Sequence, residues 1–216
     1  MLENENPMEN LEARIGRILC IPSLELDGNA YKGKYELNNR KSITDFIKCL
    51  RLNSKGENVS YANLDTGKKI IISKRSAEKL ASHNGEIYQK TIAHIPKIIE
   101  NMIFLEEMLS DKPNAKYKNY SYYITQVKID NESYTILSTV GRYGDEIYYD
   151  QNIFKGSTQD VFIEAKNKLN EPKYSRLNEI LHKTKMGSWP LAEIIPSESP
   201  TYPINKYSKF PKKSKI

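Results

Sequence analysis

The feature that most limits how this chain can fold is a change of hydrophobic period near residue 120. From Tyr120 to Phe154 apolar and polar residues alternate in three runs, Tyr120 to Ile129, Tyr134 to Val140 and Ile147 to Phe154. A period of two places successive side chains on opposite faces of an extended strand. The runs are separated by Asp130-Asn131-Glu132-Ser133 and Arg142-Tyr143-Gly144-Asp145, both rich in turn-forming residues, so the segment predicts an antiparallel meander.

Upstream the period is helical. Ser42 is placed to cap a helix in which Ile43, Phe46, Ile47 and Leu50 share a face. Val59 to Asn63 and Lys69 to Ser73 flank Asp65-Thr66-Gly67, a hairpin signal. Helices are expected over Ser76 to His83, over Glu86 to Ile95, and from Pro96 through Glu100, since proline suits a first helical turn. A short helix, Asn10 to Cys20, precedes this region and leads into Ile21-Pro22 and a loop around Gly28. After the meander, Ser157-Thr158-Gln159-Asp160 has the form of a capping box ahead of Val161, Phe162, Ala165 and Leu169, and a second helix carries Leu177, Ile180 and Leu181.

The expected fold class is therefore α+β, with helices packed on an antiparallel β-meander. Residues 1–41 read as an N-terminal extension, 42–155 as the α+β domain, 156–186 as a C-terminal helical appendage and 187–216 as a tail rich in Pro and Lys. Trp189 beside Pro190 is placed to anchor that tail on the domain.

A length of 216 residues suits one principal domain with extensions. No run reaches the roughly 20 apolar residues of a spanning helix, and the acidic start is unlike a secretory leader, so a cytoplasmic protein that engages no membrane is expected. Cys20 and Cys49 have no metal-ligand spacing and read as buried or free thiols. The net charge of +6 suits an anionic partner such as nucleic acid. No phosphate-binding loop, dinucleotide fingerprint, zinc set or nucleophile elbow occurs, and neither metal nor cofactor is expected. Glu106 and Glu107 are adjacent, so their carboxylates point apart and make a poor acid-base pair.

Pairing the first two meander strands across a four-residue loop puts Ile129 opposite Tyr134 and Tyr123 opposite Val140 on a mostly apolar face. The other face then carries Tyr122, Ile124, Gln126 and Lys128 against Thr135, Leu137 and Thr139, joined by Tyr148 and Asp150. Such a face is either a solvated sheet surface or a platform on which tyrosines stack with unpaired bases while Lys128 meets phosphate. Of the three histidines, His83 ends an expected helix with Lys79 four residues earlier on the same side. His plus Lys can supply a base near neutral pH and a cation for a charged phosphorane; equally, His83 can be a helix C-terminal group and Lys79 a solvated charge. His94, before Ile95-Pro96, has a position that favours a structural hydrogen bond.

The succession Ile43 to Ile47, Asn63 to Lys68, Ile72 to Lys74, Lys79 to His83, Ile92 to Asn101 and Tyr123 to Tyr149 resembles the barnase/EndoU/colicin/RelE-like domain associated with large polyvalent proteins of phages and conjugative elements. The likeness spans about half the chain and rests on the order of these segments. It implies a ribonuclease, often a toxin, and carries Lys79, His83 and His94 over as catalytic candidates. With it, the expected activity is a metal-independent endoribonuclease acting on single-stranded RNA or tRNA by 2′-hydroxyl attack. RNA contacts fall to Tyr122, Gln126, Lys128, Thr139, Arg142 and Tyr148. An immunity or host protein is a further expected partner. The alternative is a binding module without catalysis, such as a host-takeover inhibitor.

Overall fold

A computed structural model describes residues 10–110, 117, 119–143, 146–168 and 170–183, with the side chains of 143 and 146–148 excluded. Leu169, the Tyr148 side chain, Trp189 and the 187–216 tail therefore lie outside the described residues. The fold is α+β. In chain order its elements are α1 (Leu11–Cys20), β1 (Leu24–Leu26), α2 (Arg40–Arg51), β2 (Ser60–Ala62), β3 (Lys69–Ile71), α3 (Lys74–Leu80), α4 (Glu86–Ile92), α5 (Ile95–Asn101), β4 (Ile103–Leu109), β5 (Asn119–Ile129), β6 (Glu132–Tyr143), β7 (Glu146–Lys155), α6 (Thr158–Asn167) and α7 (Ser175–His182).

Strands β5, β6 and β7 form the expected meander, and β1 and β4 both pair with the outer edge of β5, β1 in parallel and β4 antiparallel. The first meander turn is tighter than the sequence suggested. Ile129 pairs with Glu132, leaving a two-residue turn in which Asp130 (φ 51°) and Asn131 (φ 65°) are both left-handed. Two such residues make the turn whose twist matches the strands, and Asp and Asn tolerate that backbone. Val127 is thus opposite Tyr134, and Tyr123 opposite Ser138. The displacement from the expected pairing is two residues, an even number, so each side chain keeps its face.

Strand β4 was not foreseen. Its Ile-Phe-Leu-Glu-Glu-Met-Leu run does not alternate cleanly, and a register shift between Phe104 and Glu106 is the physical reason. Its neighbouring carboxylates do diverge: Glu106 lies 3.7 Å from Arg14, whereas Glu107 accepts from Asn119 Nδ2 at 3.1 Å. Helix α2 begins earlier than expected, because Asn39 rather than Ser42 caps it, accepting the Ser42 N–H at 3.1 Å. Ser42 Oγ instead accepts from Glu36 N–H. The capping box at Ser157 and Asp160 forms as expected.

Both faces of the sheet are covered. On the first face Tyr123, Val140 and Tyr149 pack with Ile43 and Ile47 of α2, Leu80 of α3 and Ile92 of α4, while Val127, Ile129 and Ile136 meet Ile98 of α5. On the second face Tyr122, Ile124, Leu137 and Phe154 pack with Leu11, Ile15 and Ile18 of α1, with Val161 and Phe162 of α6, and with Leu177 and Ile180 of α7. The stretches that read as extension and appendage therefore supply a complete helical layer. Leu177 is fully buried in it. Leu177→Ala should lower unfolding stability in denaturant by about 2–5 kcal/mol. A loss below about 0.5 kcal/mol, the range of neutral surface changes, would show that α7 is not part of the core.

Candidate functional site

Helix α3 stops one turn before the sequence suggests. Ser73 caps its start, accepting from Ser76 N–H at 3.1 Å, and both the N–H and the hydroxyl of Ser82 turn back onto the Lys79 carbonyl. His83 therefore leaves the helix axis, and the expected pairing of Lys79 and His83 on one helical face does not form. Lys79 is exposed on α3.

What His83 meets instead comes from α4 and β7. Its ring stacks on Tyr88, with centroids 3.9 Å apart and planes 23° from parallel. Its Nε2 is buried, lacks a hydrogen-bond partner and lies 3.6 Å from Asp150 Oδ1. That separation is longer than a hydrogen bond, so a shift of well under 1 Å would complete one. Asp150 Oδ1 also accepts the Gln151 N–H at 2.9 Å and faces the Tyr88 hydroxyl at 3.4 Å. The His83 and Asp150 side chains retain 27% and 14% of their exposure, which leaves the pair at a rim rather than in the core.

A fully partnered polar network lies beneath this rim. Gln151 Nε2 donates to Thr91 Oγ1 at 2.7 Å, Thr91 donates to the Tyr88 carbonyl at 2.7 Å, and Tyr149 donates to Gln151 Oε1 at 3.2 Å. Gln89 Nε2 holds the His83 carbonyl at 3.2 Å. Burial, above all, pushes the Tyr149 phenol well above its ordinary range, so it serves as a neutral donor. These residues were missed in the sequence, although a signal exists. Gln89 and Thr91 sit beside Tyr88 and Ile92 on a short helix, and buried amides and hydroxyls require partners.

The expected RNA-binding face is divided by this architecture. Tyr122 is 4% exposed beneath the second helical layer, so it is a core side chain and not an open stacking platform. Gln126 is a clamp: its Nε2 donates to Ser23 Oγ at 2.7 Å and its Oε1 accepts Thr158 N–H at 3.1 Å, tying β5 to the chain before β1 and to α6. Lys128 lies 3.8 Å from Glu25 on β1. Thr139 is half-buried and paired with Asp150 across β6 and β7, which brings it beside the His83 rim. Arg142 is exposed near the end of β6. Among the described residues no cluster of three or more His, Cys, Asp or Glu side chains is placed to hold a metal ion. Cys20 and Cys49 are free and exposed.

His94 stands apart from His83. Its Nε2 donates to the Asp27 carbonyl at 2.8 Å, just beyond β1. β1 and β7 are opposite edges of the sheet, three inter-strand steps apart, or roughly 14 Å at about 4.8 Å per step. His94 therefore ties a loop to α5 and does not join the His83 group. Burial, foremost, lowers its pKa, with Lys97 and Lys34 adding to the effect. A histidine held neutral in the fold favours the folded state above its ordinary pKa, and that advantage is lost as pH falls from about 6.5 towards the lowered value. The stability difference between wild type and His94→Gln should accordingly shrink below about pH 6.5 in denaturant titrations; parallel pH profiles would refute this account.

Among the described residues no helix is long and apolar enough to cross a membrane. No curated protein and no solved structure matches the chain. The family described as large polyvalent protein-associated domain 3 matches residues 38–149. That span covers α2 through the middle of β7, including His83, Tyr88 and Tyr149, and is just over half of the 216 residues. The chain belongs to the large polyvalent protein-associated domain 3 family.

Proposed function

We propose that this chain is a metal-independent endoribonuclease of the barnase/EndoU/colicin/RelE kind, serving a phage or another mobile element, with His83 as its general base and Asp150 as the carboxylate that orients it. One observation carries the reading: a titratable imidazole is clamped against Tyr88, with its buried Nε2 turned to the Asp150 carboxylate at 3.6 Å. A carboxylate in that position favours the tautomer with the proton on Nε2 and leaves the Nδ1 lone pair to act on substrate. Nδ1 takes the proton from a ribose 2′-hydroxyl, the 2′-oxygen bonds to the adjacent phosphorus, and the bond to the 5′-oxygen breaks as that oxygen takes a proton from water. A cyclic phosphate and a free 5′-hydroxyl result. Positive charge for the phosphate comes from Lys79 on α3 and Arg142 on β6, both exposed, while Thr139 positions the strand beside Asp150. The net charge of +6 favours the approach of an RNA chain.

Labelled tRNA incubated with the full chain and EDTA tests catalysis and metal independence together. Cleavage by wild type is expected, with a loss of about 100-fold or more in His83→Ala and in Asp150→Asn. Intact RNA with wild-type protein sinks the enzyme reading. Salt-sensitive binding without cleavage would replace it with a nucleic-acid-binding module.

A further inference from the structure

The outer edge of β5 is interrupted. β1 pairs with it only from Val127 to Ile129 and β4 only from Asn119 to Ile124, so Thr125 and Gln126 are paired with neither strand. A cleft of about 720 Å³ opens at this break, between the end of α1, the β2–β3 turn and the end of α5, a volume typical of small-molecule sites. It lies on the β1 side of the sheet, across from His83, and owes nothing to the ribonuclease reading.

Two features of the cleft, at Leu64 and Thr125, are left unexplained by the fold, and a third group in it, Glu100, is open to a ligand. Leu64, on its rim, is 70% exposed although its backbone is fixed by a hydrogen bond to the Glu100 carbonyl. Thr125, in its lining, is 4% exposed and its Oγ1 has no hydrogen-bond partner. The Glu100 carboxylate has no hydrogen bond or ion pair among the described residues. The other charges cancel, since Arg17 meets Asp65 Oδ1 at 2.7 Å and Asp65 Oδ2 accepts the Phe104 N–H. The lining is mixed: Ile18, Ile103 and Ile124 give it an apolar wall, while Ser23, Asn101 and Gln126 are polar. What remains is a cleft with one apolar wall, one carboxylate that faces solvent without a partner among the described residues, and one spare hydroxyl acceptor.

We propose that this cleft binds a small organic cation, a primary ammonium on a short apolar chain. The chain lies against Leu64, Ile103 and Ile124, and the ammonium donates hydrogen bonds to Glu100 and Thr125. The full chain, labelled at isoleucine methyl groups, can be titrated with n-hexylammonium, hexan-1-ol and hexanoate. Saturable shifts at Ile103 and Ile124 are expected with hexylammonium, weaker ones with hexanol and none with hexanoate. Glu100→Gln should weaken hexylammonium binding about tenfold or more, the size of a charge-assisted hydrogen bond, with an unchanged melting temperature because Glu100 is exposed. Absence of saturable shifts, hexanol or hexanoate binding as tightly as the ammonium, or unchanged affinity in Glu100→Gln would each overturn the proposal. RNA cleavage is not read, so the fate of the His83 site does not bear on the outcome.

Discussion

The register of β5 against β6 depends on the turn at Asp130 and Asn131, and the arrangement of the whole molecule depends on that register. A slip of β5 by one residue would carry Val127 and Ile129 from beneath α5 to the opposite face, away from Ile136 of β6, and bring polar neighbours inward. The turn is held from outside as well. Lys90 on α4 reaches Asp130 Oδ2 at 3.0 Å and Glu86 Oε1 at 2.9 Å, and these two hydrogen bonds push its pKa up, so it stays charged. Gly28 passes so close that a Cβ there would stand 2.1 Å from the Asp130 carboxylate. The loop after β1, helix α4 and the turn thus lock one another, and His94 adds a second tie from α5 to the same loop.

A sheet apolar on both faces needs two covers. On the first face α2 to α5 provide one; on the second, Tyr122, Ile124, Leu137 and Phe154 would be left in water without α1, α6 and α7. The family match runs from residue 38 to residue 149, so these covering helices lie outside it while the apolar face they cover lies largely inside it. Gln126 shows how the seam is made. One amide joins Ser23 on one side and Thr158 on the other, so a residue that alternation assigns to a polar face is polar because two backbone segments converge on it.

That convergence explains how far the sequence could be read. Periodicity reveals which side chains share a face, and the faces of the meander were legible even where the pairing was two residues off. It does not reveal whether a mixed face is wet. Tyr122 and Leu137 alternate with Gln126 and Thr139 as they would on a solvated sheet, and only the packing of remote helices distinguishes the two cases. The hairpin, the Ser157 capping box and α1 were legible because their signals are local. β1 is three residues long and pairs with a strand about a hundred positions away, which leaves no local trace. For His83 the local reading failed in the opposite direction. Helical spacing joins it to Lys79, but the Ser82 side chain and backbone both bond to the Lys79 carbonyl, end the helix and hand the imidazole to Tyr88 and Asp150, whose proximity is purely tertiary.

Asp150 could owe its place to structure alone, because β7 is an edge strand with outward-facing amides. Ser76 Oγ accepts the N–H of Tyr149 and Asp150 Oδ1 accepts that of Gln151, so both side chains protect the edge from unwanted pairing. The two roles make different demands on the side chain. Capping an amide requires an oxygen acceptor, which asparagine retains at the same position. Holding an imidazolium while His83 carries the proton requires a negative charge, which asparagine lacks. An edge role would therefore tolerate the amide, whereas an acid-base role would not. The buried, unpartnered Nε2 of His83 is the feature that edge protection leaves without a reason, since the edge amides are satisfied whether or not an imidazole stands 3.6 Å away.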